Sequence, residues 1–301
     1  MYRARKYIFI ISIIFILAFF SGCNSKNENP TTGQKIKIFV SILPQKYFAQ
    51  KIGGNMVDVY VMVRPGQNPH SYEPTPKQMV ELSDTSLYYA IGVNFEQVWL
   101  DRMAVQNPGM KIIRTQQGIN LREIEKHSHS GHNGEEHGEE SLDPHIWLDP
   151  NLAVIQGRNM AEGLISILPD RKGEIETNLN EFIGEMTALD SSIKAEFKDI
   201  KHKTFIVFHP TWGYFADRYG LEQVSIEQEG KEPSAKHLAE IIKLAEKKDI
   251  KVVFVQEQFS KTYAQSIADE IGAKVISFDP LAEDYANNLL KVAKKMAEYF
   301  R

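Results

Sequence analysis

The sequence predicts an α/β protein made of two βα lobes with parallel sheets, joined by a long rigid α-helix. Three observations predict it. Short apolar runs alternate with helical segments in the first half, the same alternation returns after residue 200, and no strand is visible over 151–200. Alternating strands and helices are typical of parallel sheets covered by helices. A length of 301 residues also fits about two domains.

The first half begins with the apolar run IKIFVSIL and continues as strand, helix, strand. Its strands are rich in β-branched and aromatic residues, whereas its helices show apolar residues at helical spacing. Predicted strands cover 36–43, 56–63, 85–91 and 111–113, and predicted helices cover 45–52, 76–83 and 95–105.

The middle of the chain is predicted to be helical. Pro169 separates two helices. A helix over 170–198 would be about 43 Å long at 1.5 Å per residue, which exceeds the width of a small lobe. We therefore predict a strut between lobes. Its apolar positions at helical spacing are Ile175, Leu179, Phe182, Ile183, Met186, Leu189, Ile193 and Phe197.

The second half repeats the alternation of strands and helices. The predicted organisation is an N-terminal lobe over 35–169, a linking helix over 170–200 and a C-terminal lobe over 201–301. Predicted strands cover 203–208, 221–226, 251–256 and 274–278, and predicted helices cover 214–219, 234–248, 261–271 and 284–300.

The first residues are predicted to be a targeting segment. Basic residues precede an apolar run at 7–20, which is short for a membrane span and fits a secretory signal. Ser21-Gly22-Cys23 resembles a bacterial lipobox, which implies a signal peptide over 1–22, a lipid on Cys23 and a flexible tether over 23–34. A plain signal peptide or an uncleaved anchor is the alternative.

Composition excludes several classes of function. The chain has 35 basic and 39 acidic residues, a net charge of −4, which gives no support for nucleic-acid binding. Cys23 is the single cysteine, so neither a disulfide within the chain nor a zinc site of several thiolates is possible.

Four candidate metal ligands lie near the ends of predicted strands: His70, His145, His209 and Asp279. Loops at the carboxyl ends of parallel strands are where open α/β sheets bind ligands. Three imidazoles and one carboxylate suit Zn²⁺, whereas Mn²⁺ favours more oxygen donors. Taken singly, each histidine could be a loop residue satisfied by the backbone, and Asp279 could simply begin a turn.

The stretch 125–140, EKHSHSGHNGEEHGEE, is a predicted metal-contacting loop. Its glycines oppose regular structure, and histidine-rich tracts commonly bind metal. A merely soluble insertion is the alternative. Its four histidines are His127, His129, His132 and His137.

Three further residues carry side chains of a type that could bind or orient a metal. Glu257 also ends a strand, and we expect it to lie behind the ligands and orient one of their imidazoles. His202 and His237 lie in polar surroundings and are expected to be solvated without a function.

Five motifs in order resemble those of a known family, the solute-binding lipoproteins of zinc and manganese ABC transporters, and more closely its zinc branch. The resemblance covers residues 35–301. The motifs are NPHSYEPTP at 68–76, DPHIWLDP at 143–150, FHPTWGYF at 208–215, KEPS at 231–234 and FDPL at 278–281.

The resemblance implies two βα lobes on one rigid helix, with a metal held in the cleft between them by His70, His145, His209 and Asp279. It implies capture of Zn²⁺ and transfer to a permease with its ATPase, with no catalysis. It also implies an extracytoplasmic protein anchored to the membrane at Cys23, which we expect to be monomeric and to bind no nucleic acid. Closure should involve small loop rearrangements.

Three alternatives stay open from the sequence. A manganese or iron carrier of the same class is the nearest, although manganese members resembling this chain typically have an acidic residue where His209 stands. A surface adhesin or zinc store is another. A zinc hydrolase would need an open coordination position and a general base, and four protein ligands would leave none open.

Overall fold

The computed structural model describes residues 35–124, 142–227, 233–259 and 261–301. The first lobe consists of strands and helices that alternate as the sequence predicts. Its elements are β1 (Ile36–Val40), α1 (Leu43–Gly53), β2 (Val57–Val61), α2 (Pro76–Glu81), β3 (Leu87–Ala90), α3 (Asn94–Gln106) and β4 (Lys111–Arg114).

The second lobe has the same alternation. Two helices connect it to the first, α4 (Pro150–Ile165) and α5 (Lys172–Glu196), with a 3₁₀ turn at Pro169–Arg171 between them. The elements of the second lobe are β5 (Thr204–Val207), α6 (Gly213–Tyr219), β6 (Glu222–Ser225), α7 (Ala235–Lys247), β7 (Val252–Gln256), α8 (Thr262–Ile271), β8 (Lys274–Phe278) and α9 (Tyr285–Phe300).

Both sheets are four-stranded and parallel, and both have the same strand order. The first is ordered β2-β1-β3-β4 and the second β6-β5-β7-β8. The predicted α/β class with two parallel sheets is therefore confirmed. In each sheet the carboxyl ends of neighbouring strands lie at one edge, so residues distant in sequence meet there.

The first strand ends earlier than the sequence predicts. The prediction extended it to residue 43, whereas α1 begins there. Pro44 lies in the first turn of α1, where its missing N–H costs nothing because the first turn of a helix has no intrahelical acceptor. Pro44 therefore favours the start of a helix at residue 43 over a continuation of the strand.

The long helix α5 extends over 25 residues and contacts both lobes, through α1 and α4 on one side and α9 on the other. Its Phe182 packs against Gly157 of α4, where an added Cβ would lie 2.6 Å from the ring. Glycine therefore permits a close approach of the two helices. The predicted long linking helix is confirmed, although its observed ends lie at Lys172 and Glu196.

The hydrophobic core is continuous from the first sheet through α5 to one face of the second sheet. Phe48, Phe182 and Phe205 belong to this one cluster. A second, smaller cluster lies on the other face of the second sheet, where Ile206 and Val253 meet α7 and α8. The two lobes therefore share a core rather than having one each.

Among the helices of the described residues, none is both long and apolar enough to cross a bilayer.

Candidate metal centre

Three histidines meet between the two sheets. His70 lies in the connection from β2 to α2, His145 directly precedes a 3₁₀ turn at Ile146–Leu148 that leads into α4, and His209 lies two residues after β5. Among the described residues, these three form the group of potential ligands whose ligating atoms all lie within 4.8 Å of one another.

The spacing of the three imidazoles matches a zinc site. His145 Nε2 lies 3.3 Å from His70 Nε2 and 3.3 Å from His209 Nε2. Two nitrogens bound tetrahedrally to one Zn²⁺, each at about 2.05 Å, are themselves about 3.3 Å apart. The side chains therefore have the separation that coordination of a single ion requires.

The outer nitrogen of each imidazole has an oxygen acceptor. His145 Nδ1 lies 2.6 Å from Asp143 Oδ1, His209 Nδ1 lies 2.6 Å from Glu227 Oε1, and the partner of His70 Nδ1 is the amide oxygen of Asn94 at 2.9 Å. An oxygen acceptor assigns the proton to Nδ1 and leaves Nε2 with its lone pair. Three lone pairs thus converge, an arrangement that a cation between them stabilises.

Burial favours the neutral form of two of the imidazoles, those of His70 and His145. It lowers the pKa of both well below the usual 6.5, and the neighbouring His209 lowers both further. Burial also raises the pKa of the Asp143 carboxyl to about 7, opposed by the backbone N–H of His145 and the guanidinium of Arg122. Neutral imidazole is the form that binds a metal.

Asp279 lies outside this cluster of imidazoles. It directly follows β8, as the sequence predicts, but its carboxylate is not within the 4.8 Å group. Its Oδ1 accepts from Gln258 Nε2 at 3.0 Å and from the backbone N–H of Leu281 at 2.9 Å. The structure therefore brings together three of the four predicted ligands.

Glu257 is exposed and makes no hydrogen bond or ion pair to the three imidazoles in the described part of the chain. The carboxylate that contacts His209 is that of Glu227, which is 6% exposed. Sequence reasoning missed Glu227 and Asn94. Both follow a strand at the same sheet edges as the histidines, and this position is the signal that could have found them.

Contacts across the cleft hold the histidine-bearing segments. Trp147 donates from its indole N–H to the carbonyl of Pro280 at 2.8 Å, and Tyr285 donates to the carbonyl of Trp147 at 2.6 Å. Tyr214 of α6 donates to the carbonyl of Asp143 at 2.8 Å. The segment that carries His145 is thus fixed from the second lobe.

The ends of the histidine-rich loop lie beside the imidazole cluster. Glu123 and Leu142 form an isolated antiparallel bridge, and Asp143 donates its backbone N–H to the carbonyl of Arg122 at 2.8 Å. The loop histidines, His127, His129, His132 and His137, lie outside the described residues, as does Cys23.

The expectation that His237 is solvated is wrong. This residue of α7 is 3% exposed, and its Nε2 lies 3.4 Å from the carbonyl oxygen of Ser225. The prediction rested on the polar residues next to it in sequence, whereas α7 packs that face against the second sheet. His202 is partly buried.

Two parallel-sheet lobes on a long helix, with converging imidazoles between them, define a solute-binding protein for a metal ion. The chain belongs to the family described as zinc-uptake complex component A, periplasmic, whose model matches residues 38–299. Members of this class are transport proteins that bind a solute.

Named relatives agree with this assignment. The chain is 30% identical over 281 residues to the high-affinity zinc uptake system protein ZnuA of Bacillus subtilis, covering 91% of this chain and 88% of that protein. It is 27% identical to the zinc-binding protein AdcA of Streptococcus pyogenes, of which it spans only 56%. A crystal structure of ZnuA is 40% identical, with a TM-score of 0.83, covering 89% of this chain and all of that one.

Proposed function

We propose that this protein captures Zn²⁺ outside the cytoplasm and delivers it to the permease of an ABC transporter. The observation that carries the proposal is the trio of Nε2 lone pairs, spaced at 3.3 Å around His145. That spacing fits two nitrogens on one zinc ion. Family membership and the names of the relatives support zinc as the solute.

The ligands in this proposal are His70, His145 and His209, with Asp279 as the fourth. Asp279 would reach the ion by a movement of its side chain, since Trp147 holds the backbone of its loop at Pro280. Three imidazoles and one carboxylate close a tetrahedral site, so no position is left open for a bound water that could act in hydrolysis. The protein therefore acts by binding and release, without catalysis.

Release must loosen the site rather than swing the lobes apart. The two lobes share a core through α5, and contacts such as Tyr214 to Asp143 join them across the cleft. A permease that contacts both lobes would move the loops carrying the ligands by small amounts. Transport of the ion through the permease, driven by the ATPase of the same complex, would then follow.

The proposed anchor is a lipid on Cys23, linked to the folded body by the tether at 23–34. The protein would act as a monomer on the outer side of the cell membrane. Incorporation of a labelled fatty acid into the wild-type chain, and its loss in Cys23→Ala, would test the anchor independently of metal binding.

Metal binding is tested with zinc-free protein. Calorimetry with Zn²⁺, Mn²⁺ and Fe²⁺ should give one tight zinc per chain and weaker binding of the other two ions. His209→Ala should lose the tight site, since it removes one of the imidazoles at the cluster. Tighter binding of Mn²⁺ than of Zn²⁺ would instead favour the manganese carrier.

A further inference from the structure

The carboxylate of Asp279 has two unequal oxygens. Oδ1 accepts two hydrogen bonds, one from the side-chain amide of Gln258 at 3.0 Å and one from the backbone N–H of Leu281 at 2.9 Å. Within the described residues, Oδ2 has no hydrogen bond or ion pair. Oδ2 is therefore the oxygen that is available to a metal.

Gln258 is fixed next to the proposed site by the sheet. Strands β7 and β8 pair in parallel, with Gln256 opposite Phe278, so the residues that follow them leave the sheet side by side. The next residue after Gln258, Phe259, stacks on the ring of His209 with centroids 5.0 Å apart and planes at 19°. One short segment thus contacts two of the proposed ligands.

The backbone of the loop that carries Asp279 is also held by hydrogen bonds from two other segments, those of Asn288 and Trp147. Asn288 donates to the carbonyl of Asp279 at 2.8 Å, and Trp147 donates to the carbonyl of Pro280. The ring of Trp147 in turn lies 5.2 Å from that of His145. With the backbone fixed at these points, a small adjustment of the Asp279 side chain that keeps Oδ1 on its two donors would turn Oδ2 toward the ion.

We propose that Gln258 is a specificity-determining residue, because it occupies Oδ1 and so restricts Asp279 to a single metal-binding oxygen. This inference rests on the proposed function and on Asp279 as fourth ligand. One oxygen and three imidazole nitrogens make four donors, the number Zn²⁺ prefers. Binding through both oxygens would add a fifth donor, and extra oxygen donors favour Mn²⁺. Gln258 acts on the ion through Asp279 and does not touch it.

The test compares Gln258→Leu with a matched control, Gln265→Leu. Gln265 also donates its amide to an aspartate, Asp269 Oδ1 at 2.7 Å, but on the exposed surface of α8. The dissociation constants of Zn²⁺ and Mn²⁺ are measured by competition. We expect Gln258→Leu to reduce the preference for Zn²⁺ over Mn²⁺ about tenfold, and Gln265→Leu to leave it unchanged. Gln258→Ala provides a second variant with the same expected direction.

Two further measurements separate this role from a structural one. Co²⁺ replaces Zn²⁺ as a spectroscopic probe, and its visible absorption should weaken in Gln258→Leu as the coordination number rises above four. The effect of Gln258→Leu on metal preference should also vanish in an Asp279→Asn background. An unchanged preference, or an equal change in that background, overturns the inference. Failure of the wild-type protein to bind Zn²⁺ tightly overturns the proposed function as well.

Discussion

The proposed metal centre contains two firmly held imidazoles, one less firmly held imidazole and a carboxylate that lies outside the imidazole cluster. His145 and His209 are 2% and 7% exposed, and each contacts a buried carboxylate at 2.6 Å. His70 is partly exposed and contacts a neutral amide at 2.9 Å, whereas Asp279 lies outside the cluster. Hydrogen bonds to a charged acceptor are shorter and stronger than those to a neutral one.

This difference suggests a division of labour within one site. A carboxylate behind a metal-binding imidazole fixes its orientation and raises its basicity. His145 and His209 would thus be arranged for the ion before it arrives, whereas His70 and Asp279 complete the coordination afterwards. Release would begin with His70, because this side chain is partly exposed and its Nδ1 contacts only a neutral amide.

The largest expected effect comes from removing an imidazole of the firmly held pair. His145→Ala should weaken zinc binding by more than the roughly 10–100-fold that loss of an outer-layer partner costs. His70→Ala should weaken it less, because His70 is the less constrained ligand. Competition against a chelator of known affinity measures both, with His202→Ala as a control that should match wild type. Equal losses for His145→Ala and His70→Ala would contradict the division of labour.

The supporting side chains should rank in the same way. Asp143→Asn and Glu227→Gln should each weaken zinc binding roughly 10–100-fold, since each removes the negative charge behind an imidazole. Asn94→Ala removes only a neutral acceptor and should weaken zinc binding a few-fold at most. The comparison is made by zinc competition at a pH above 8, where the Asp143 carboxyl is ionised. An equal loss of zinc affinity in Asn94→Ala and Asp143→Asn would show that the negative charge of the acceptor does not strengthen zinc binding by the imidazole.

The sequence predicts the histidines better than it predicts their partners. His70, His145 and His209 are found because each lies in a short motif near the end of a strand or turn, and parallel sheets bring such ends together. Glu227 lies 18 residues from His209 and becomes its neighbour only because β6 pairs beside β5. The sequence does not show which strands are neighbours. The prediction therefore selected Glu257, which directly follows β7, the strand on the other side of β5.

Local sequence patterns predict the helices and strands of the fold but not how these elements pack together. The alternation of strands and helices predicts the parallel sheets, and the apolar spacing along α5 predicts the strut. The shared core could not be predicted, because the pattern shows which face of a helix is apolar but not which element covers it. The burial of His237 was missed for the same reason.

A pH effect is expected from the region that supports His70. Glu96 is 2% exposed and accepts backbone N–H bonds from Ile91 and Gly92, in the loop that leads to Asn94 at the start of α3. Burial raises the pKa of Glu96 to about 7, from 4.5. The folded state therefore binds this proton more tightly than the unfolded chain does, and stability should fall as pH rises from about 4.5 to about 7.

The size of this effect follows from the difference in pKa. It amounts to roughly 3 kcal/mol at most, at about 1.4 kcal/mol per pH unit. Urea unfolding of zinc-free protein at pH 5, 6, 7 and 8 measures it as the difference between wild type and Glu96→Gln, in which other titrations cancel. The control is Glu162→Gln on the exposed side of α4, whose difference from wild type should not change with pH. If the difference in the free energy of unfolding between wild type and Glu96→Gln does not change with pH, Glu96 is already ionised at pH 5.

The smallest expected effect is that of removing the histidine-rich loop. Deletion of residues 127–137 should leave one tight zinc per chain with its affinity unchanged, and lose only weaker sites. The ends of the loop are joined by the bridge between Glu123 and Leu142, so a short connection can replace it without moving His145. Calorimetry of the deletion variant counts the sites. Loss of the tight one would mean that loop histidines bind the transported ion directly.

The core shared by the two lobes has a consequence for how fast cargo can be exchanged. Swinging the lobes apart would expose side chains such as Phe48, Phe182 and Phe205 to water, at a cost of several kcal/mol. We therefore expect exchange of the ion to avoid that barrier and to proceed beside the partly exposed His70. The speed of delivery is then a property of a few surface side chains, which evolution can adjust without altering the scaffold.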